Sequence, residues 1–225
     1  MTKDDRNRRP ETGDRKEGVY SLRTWSPGIA LALVALFSTE GCKKGEPIEF
    51  LSSPQNAQGL QKYWTLPEFS LTERSGQAVG LPDLAGKVWV ADFIYTTCPG
   101  PCPVLTSHLS ELQKAIGGEP EVRLVSISTD PDHDNPEVLK AYAERYKAGP
   151  HWLFLTGKKD VIYALARDGF KLPIAPATAG GEPIIHSTRL VLVDKKGVVR
   201  GFYDGAADFA PQGLVNDIHR LLEEK

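Results

Sequence analysis

Cys98 and Cys102 stand with three residues between them in the stretch TTCPGPCP, with Pro99, Pro101 and Pro103 around them. The chain has 225 residues and three cysteines, too few for a disulfide scaffold. A close pair in such a chain points instead to redox exchange or to metal binding, because a thiolate is both a nucleophile and a soft ligand. If the chain turns helically at Cys102, residues four apart share a face. Both sulfurs then approach the positive end of a helix, which favours the thiolate and lowers a thiol below its free value of about 8.5. The prolines limit the conformational freedom that would be lost when two sulfurs close on one partner.

The neighbouring elements decide where such a pair would sit. Residues 87–95, KVWVADFIY, form an apolar, branched and aromatic run of the kind found in a buried central strand, and the cysteines follow at its C-terminal end. Pro103 suits the first turn of a helix, and Val104, Leu105, Leu109, Leu112 and Ile116 recur at helical spacing until Gly117 and Gly118. Strands at 122–128, 152–155, 188–194 and 198–204 then alternate with helices at 136–147, at about 160–167 and at the C-terminus. The fold class expected is α/β: a thioredoxin-like fold, with a central mixed sheet flanked by helices and the thiols at a strand-to-helix junction.

A composition of 40% hydrophobic and 25% charged residues suits one globular core. The net charge of −2, with Lys and Arg scattered, provides no footprint for nucleic acid. Residues 1–24 are a charged N-terminal region, and the uninterrupted apolar run at 28–37 has the length of a signal-peptide core. Residues 25–42 therefore read as a signal peptide ending at a lipidated Cys42 or as a short uncleaved anchor. Either would hold the remainder on the outer side of a bacterial inner membrane. Residues 43–61 read as a linker and 62–225 as the domain.

The segments FIYTTCPGPCP, SISTDPDHDNPEVLKAYAERY, WLFLTG and IIHSTRLVLVDKKG, in this order, resemble the Sco/SenC family of copper-handling proteins of cytochrome c oxidase assembly. The resemblance runs from about residue 63 to the C-terminus. It implies a thioredoxin-like domain that binds copper through Cys98, Cys102 and His186, the histidine that precedes a late strand. Gly100 departs from the pattern, since many members carry an acidic residue in the spacer. Ligand chemistry agrees with copper: two sulfurs and one imidazole suit the cuprous ion. A closed zinc site would show a second CxxC or paired histidines. Met1, the one methionine, provides no blue-copper axial ligand, and CxxCH for haem is absent.

His108, His133, His151 and His219 read as surface or loop histidines, and Asn135 as the cap of the helix beginning at Pro136, with Asp130 a polar support for the site. Three functions remain open. One is a copper chaperone serving the CuA centre of cytochrome c oxidase subunit II or another copper protein. Another is a thiol-disulfide reductase of the same partner, with Cys98 attacking and Cys102 resolving. The third, a peroxidase of related fold, leaves His186 without a task.

Overall fold

The computed structural model describes residues 59–172, 187–205 and 209–224. The expected charged region, anchor and Cys42 lie outside the described residues, as does His186. Seven strands form one mixed sheet in the order β2-β1-β5-β4-β3-β6-β7. They are β1 (Ser70–Glu73), β2 (Ala78–Gly80), β3 (Val88–Ile94), β4 (Val122–Ser128), β5 (Trp152–Thr156), β6 (Arg189–Val193) and β7 (Val199–Asp204). The helices are α1 (Pro101–Ile116), α2 (Pro136–Arg145), α3 (Lys159–Ala164) and α4 (Pro211–Glu223). This is the expected α/β architecture.

β3 pairs in parallel with β4, and β4 with β5; β6 and β7 join antiparallel on one side and β1 and β2 on the other. All seven residues of β3 are buried, so the strand needs apolar side chains on both faces. Val88, Val90 and Ile94 enter one core with Leu105 and Leu109 of α1, Leu139 of α2 and Ile218 of α4. Trp89, Ala91 and Phe93 enter the other, with Ile162 of α3 and Phe170. The strand's alternation thus sorts its residues between two layers, and Asp92 falls on the α1 side.

Three features differ from the sequence reading. The β1–β2 hairpin was not foreseen, because strands of four and three residues offer little periodicity to detect. The helix expected near 160–167 is α3 followed by a single π-helical turn, Leu165–Gly169. Packed chain also begins earlier than residue 62: Leu60 is buried in the core. Its carbonyl accepts from Arg200 Nη2 at 2.8 Å, and that guanidinium also binds Asp194 at 2.9 Å and Glu224 at 2.7 Å. A buried cation with so many partners joins the start of the described chain to its end.

Candidate metal centre

β3 delivers the cysteines to the edge of the first core. After Ile94 the chain turns, and the Cys98 N–H donates to the Tyr95 carbonyl at 3.2 Å. α1 starts at Pro101, two residues before the expected Pro103, so Cys102 lies within the first helical turn. Gly100 is the N-cap and provides no side-chain acceptor. Prolines at 101 and 103 have no N–H to leave unsatisfied at a helix start, which makes them well suited to this turn. The Cys102 N–H is used by the Cys98 sulfur, together with the N–H of Gly100.

Both thiols are free, and Cys98 and Cys102 are only 7% and 6% exposed. The pair is therefore tucked against the core rather than displayed on a loop, although Pro99, Gly100 and Pro101 above it are exposed. A Cβ added to Gly100 would meet nothing within 4 Å, so the spacer leaves open space on the approach side.

The two sulfurs are electrostatically unequal. Burial alone would raise Cys98, but the Cys102 thiol, the N–H groups of Cys102 and Gly100 and the Tyr95 hydroxyl all donate to its sulfur and hold it below the usual thiol value. Cys102 is pushed up to about 12, first by burial, then by donating to Cys98 and by the negative charge of Cys98 and Asp92, against a contribution from the Tyr95 N–H. Tyr95 is itself pushed up to about 12 by burial and by the Cys98 thiolate its hydroxyl serves. Of the two thiols, Cys98 is therefore the one that ionises first and Cys102 the one that keeps its proton.

A buried aspartate fixes the approach to Cys98. Asp134 accepts from the Thr96 N–H at 3.0 Å, from the Ser128 hydroxyl at 2.6 Å and from the Thr96 hydroxyl. His133 Nδ1 lies 2.9 Å from the same carboxylate, which raises that histidine above its ordinary value. Asp134, not Asp130, thus makes the hydrogen bonds that hold Thr96. Asn135 caps α2 as expected, accepting from the Val138 N–H at 3.0 Å. His108 Nδ1 lies 2.6 Å from the Gly205 carbonyl oxygen. Among the described residues no group of three or more His, Cys, Asp or Glu side chains is gathered as a metal cluster. The structure brings Cys98 and Cys102 together, and two free soft donors on one turn fit a cuprous ion. A cleft of about 460 Å³ lined by Arg74, Ser75, Gly76, Pro136, Glu137 and Lys140 includes neither cysteine.

A dithiol at the end of a central parallel strand, on a mixed sheet with helices on both faces, defines a thioredoxin-like domain built for sulfur chemistry. The SCO1/SenC family model matches residues 57–223, and the chain belongs to that family. Among solved structures, it is 36% identical to a SCO1/SenC family lipoprotein from Bacillus anthracis, covering 71% of this chain and 96% of that one with a TM-score of 0.66. It is 33% identical to BsSco, a member of the Sco family of cytochrome c oxidase assembly proteins described as having a disulfide switch; the match covers 75% of this chain and all of that one, TM-score 0.65. With ScoI of Bradyrhizobium japonicum, solved with copper bound, it shares 27% identity over 71% of this chain and 100% of that one, at a TM-score of 0.60.

Proposed function

We propose that this protein is an extracytoplasmic copper chaperone that holds Cu(I) through Cys98, Cys102 and His186 and passes it to the CuA centre of cytochrome c oxidase subunit II or to another copper protein. The observation that carries the reading is the pair of free thiols at the β3–α1 turn, one lowered and the other raised from the ordinary thiol value. Copper binding by a Sco relative of 27% identity supports it. The cargo ion displaces the Cys102 proton, so loading releases acid and strengthens as pH rises. Pro101 and Pro103 hold the turn while ligands exchange, and the open space at Gly100 admits the partner's donors. Cys42, lipidated or as the end of an anchor segment, would keep the domain at the membrane; the lipoprotein from Bacillus anthracis is the relevant comparison. Among the described residues, no helix is long and apolar enough to cross a membrane.

Anaerobic Cu(I) titration of the wild type against His186→Ala, with X-ray absorption to count neighbours, tests the ligand set. Two sulfurs and one nitrogen are expected in the wild type, with the nitrogen lost in the variant. A wild-type site containing sulfur alone would remove His186 from it. The second reading, a thiol-disulfide reductase, draws on the same inequality, since a thiolate beside a protonated partner is an attacking and resolving pair. Reduction of a partner's disulfide by metal-free protein would favour it.

A further inference from the structure

α2 and the loop before it grip both ends of the dithiol turn. On one side Asp134 accepts from the Thr96 N–H, two residues before Cys98, at 3.0 Å. On the other, the Thr106 hydroxyl lies 2.8 Å from the Cys102 carbonyl oxygen and 2.9 Å from the Tyr142 hydroxyl of α2. Both side chains are buried in the core. A carbonyl only accepts, so the one Thr106 hydroxyl proton goes to Cys102, and the Tyr142 hydroxyl donates to Thr106 Oγ1. The result is a chain of hydrogen bonds from Tyr142 through Thr106 to the Cys102 carbonyl, shielded from water, in which each bond polarises the next. Its end point is a backbone that needs holding. Cys102 lies within α1 and precedes Pro103, and a proline ring crowds the N–H and Cβ of the residue before it, which disfavours the helical conformation there. The Cβ crowded in this way is the one that carries the Cys102 sulfur.

We infer that Tyr142 and Thr106 are positioning residues that hold Cys102 in its helical conformation, ready to close with Cys98 on one partner. The inference rests on the reading of the two cysteines as one pair given above. Both residues act through the backbone: with the Cys102 carbonyl pinned, the peptide joining residues 102 and 103 keeps its orientation, and the ring of Pro103 already fixes the next φ. Without the pin, Cys102 gains the extended conformations that a following proline favours. That freedom is lost again whenever the two sulfurs join, in a disulfide or on Cu(I), so both closures weaken together. Ser107 provides an internal comparison. Its hydroxyl makes the same kind of bond one residue later, to the Pro103 carbonyl at 2.9 Å, but on the exposed face of α1.

Thr106→Val combined with Tyr142→Phe removes both hydroxyls together, so neither is left buried without its partner, and the Cys102 carbonyl keeps the helical N–H of residue 106. In the metal-free full-length protein, exchange with glutathione disulfide converts the two thiols into the protein disulfide and releases two glutathione molecules. Acid quenching and mass spectrometry of the peptide carrying both cysteines read the ratio. The double variant is expected to shift this equilibrium about tenfold toward the dithiol, and to weaken Cu(I) binding about tenfold in chelator competition. Thr106→Ser, which keeps the hydroxyl, and Ser107→Ala are expected to match the wild type in both measurements. That pattern supports the inference. A wild-type glutathione equilibrium in the double variant overturns it, whatever the variant's stability in urea, and so does an equal shift in Thr106→Ser or Ser107→Ala. A glutathione shift with unchanged Cu(I) affinity overturns the claim that one held conformation serves both closures. If the wild type takes up no Cu(I), the copper reading fails, and the glutathione comparison alone decides the pin.

Discussion

Asp92 offers the sharpest physical test of this architecture, because a carboxylate in the middle of the central strand ought to weaken the fold as it ionises. Its side chain is fully buried. One oxygen accepts from the Ser126 hydroxyl at 2.6 Å, Ser126 in turn accepts from Trp152 Nε1 at 2.9 Å, and Oδ2 has no partner. Burial raises the group from 3.8 to about 7, against the opposing hydrogen bonds from Ser126 and its own backbone. The native state therefore holds a proton that the unfolded chain releases near 3.8. Stability from this group is complete below that value, falls as pH rises toward 7 and is lost above it. A difference of about three pH units at 1.36 kcal/mol each corresponds to about 4 kcal/mol, an order-of-magnitude figure. Asp92→Asn keeps an oxygen for Ser126 and cannot ionise, although its amide nitrogen replaces the unpartnered oxygen and costs about 1–3 kcal/mol at every pH. That constant term cancels in the pH dependence. Urea unfolding of the reduced, metal-free proteins at intervals from pH 4 to pH 8 should show the wild type losing about 4 kcal/mol relative to the variant. Parallel curves across that range would refute a neutral, buried Asp92.

Four further outcomes are expected. Cys98→Ser or Cys102→Ser should weaken Cu(I) binding by at least about a hundredfold, measured by chelator competition, since one thiolate with imidazole is a poor cuprous site. His186→Ala should weaken copper binding while Cys98 and Cys102 still form a disulfide, which mass spectrometry after mild oxidation would report. Gly100→Ala should leave stability within about 0.5 kcal/mol and copper affinity unchanged, because the added Cβ enters open space at a negative φ. Asp134→Ala should cost about 3 kcal/mol in urea unfolding, since the Thr96 N–H and the Ser128 hydroxyl lose a buried acceptor.

How far the molecule can be read from its residues depends on how local each cause is. β3 and β4 announce themselves because burial on both faces demands an apolar run, and β4 falls on the expected residues 122–128. α2 is equally legible, because Asn135 and Pro136 mark its start chemically and Asn135 does cap it. The hairpin of β1 and β2 is not legible in the same way. Its strands pair at the sheet edge through backbone contacts such as Leu71 with Val79, and β1 then pairs with β5 more than eighty residues later in the chain. The π-helical turn at Leu165–Gly169 is likewise a matter of packing, where Gly169 lies against Pro67 and Leu165, and helical periodicity does not distinguish it from an ordinary final turn.

The site divides along the same line. The cysteines could be found because their chemistry is carried by residue type and by four positions of spacing, and the strand before them fixes where they emerge. Their inequality could not, since it comes from contacts that sequence does not display: a Tyr95 hydroxyl folded back on Cys98, helix N–H groups turned toward one sulfur, and the charge of Asp92 felt by the other. Asp134 shows the reverse error of a local reading. In an acidic loop it resembles a solvated surface charge, and the sequence points to Asp130 as the polar support; yet Asp134 is the fully buried one, holding Thr96 two residues before Cys98. The buried polar groups thus hold one turn of backbone and lower one of its two thiols. Asp92 lies on the same side of the sheet, and once ionised, above about pH 7, its charge raises Cys102. That placement argues for polar groups serving the dithiol, because an apolar side chain at residue 92 would fill the core between Val90 and Ile94 without a desolvation penalty.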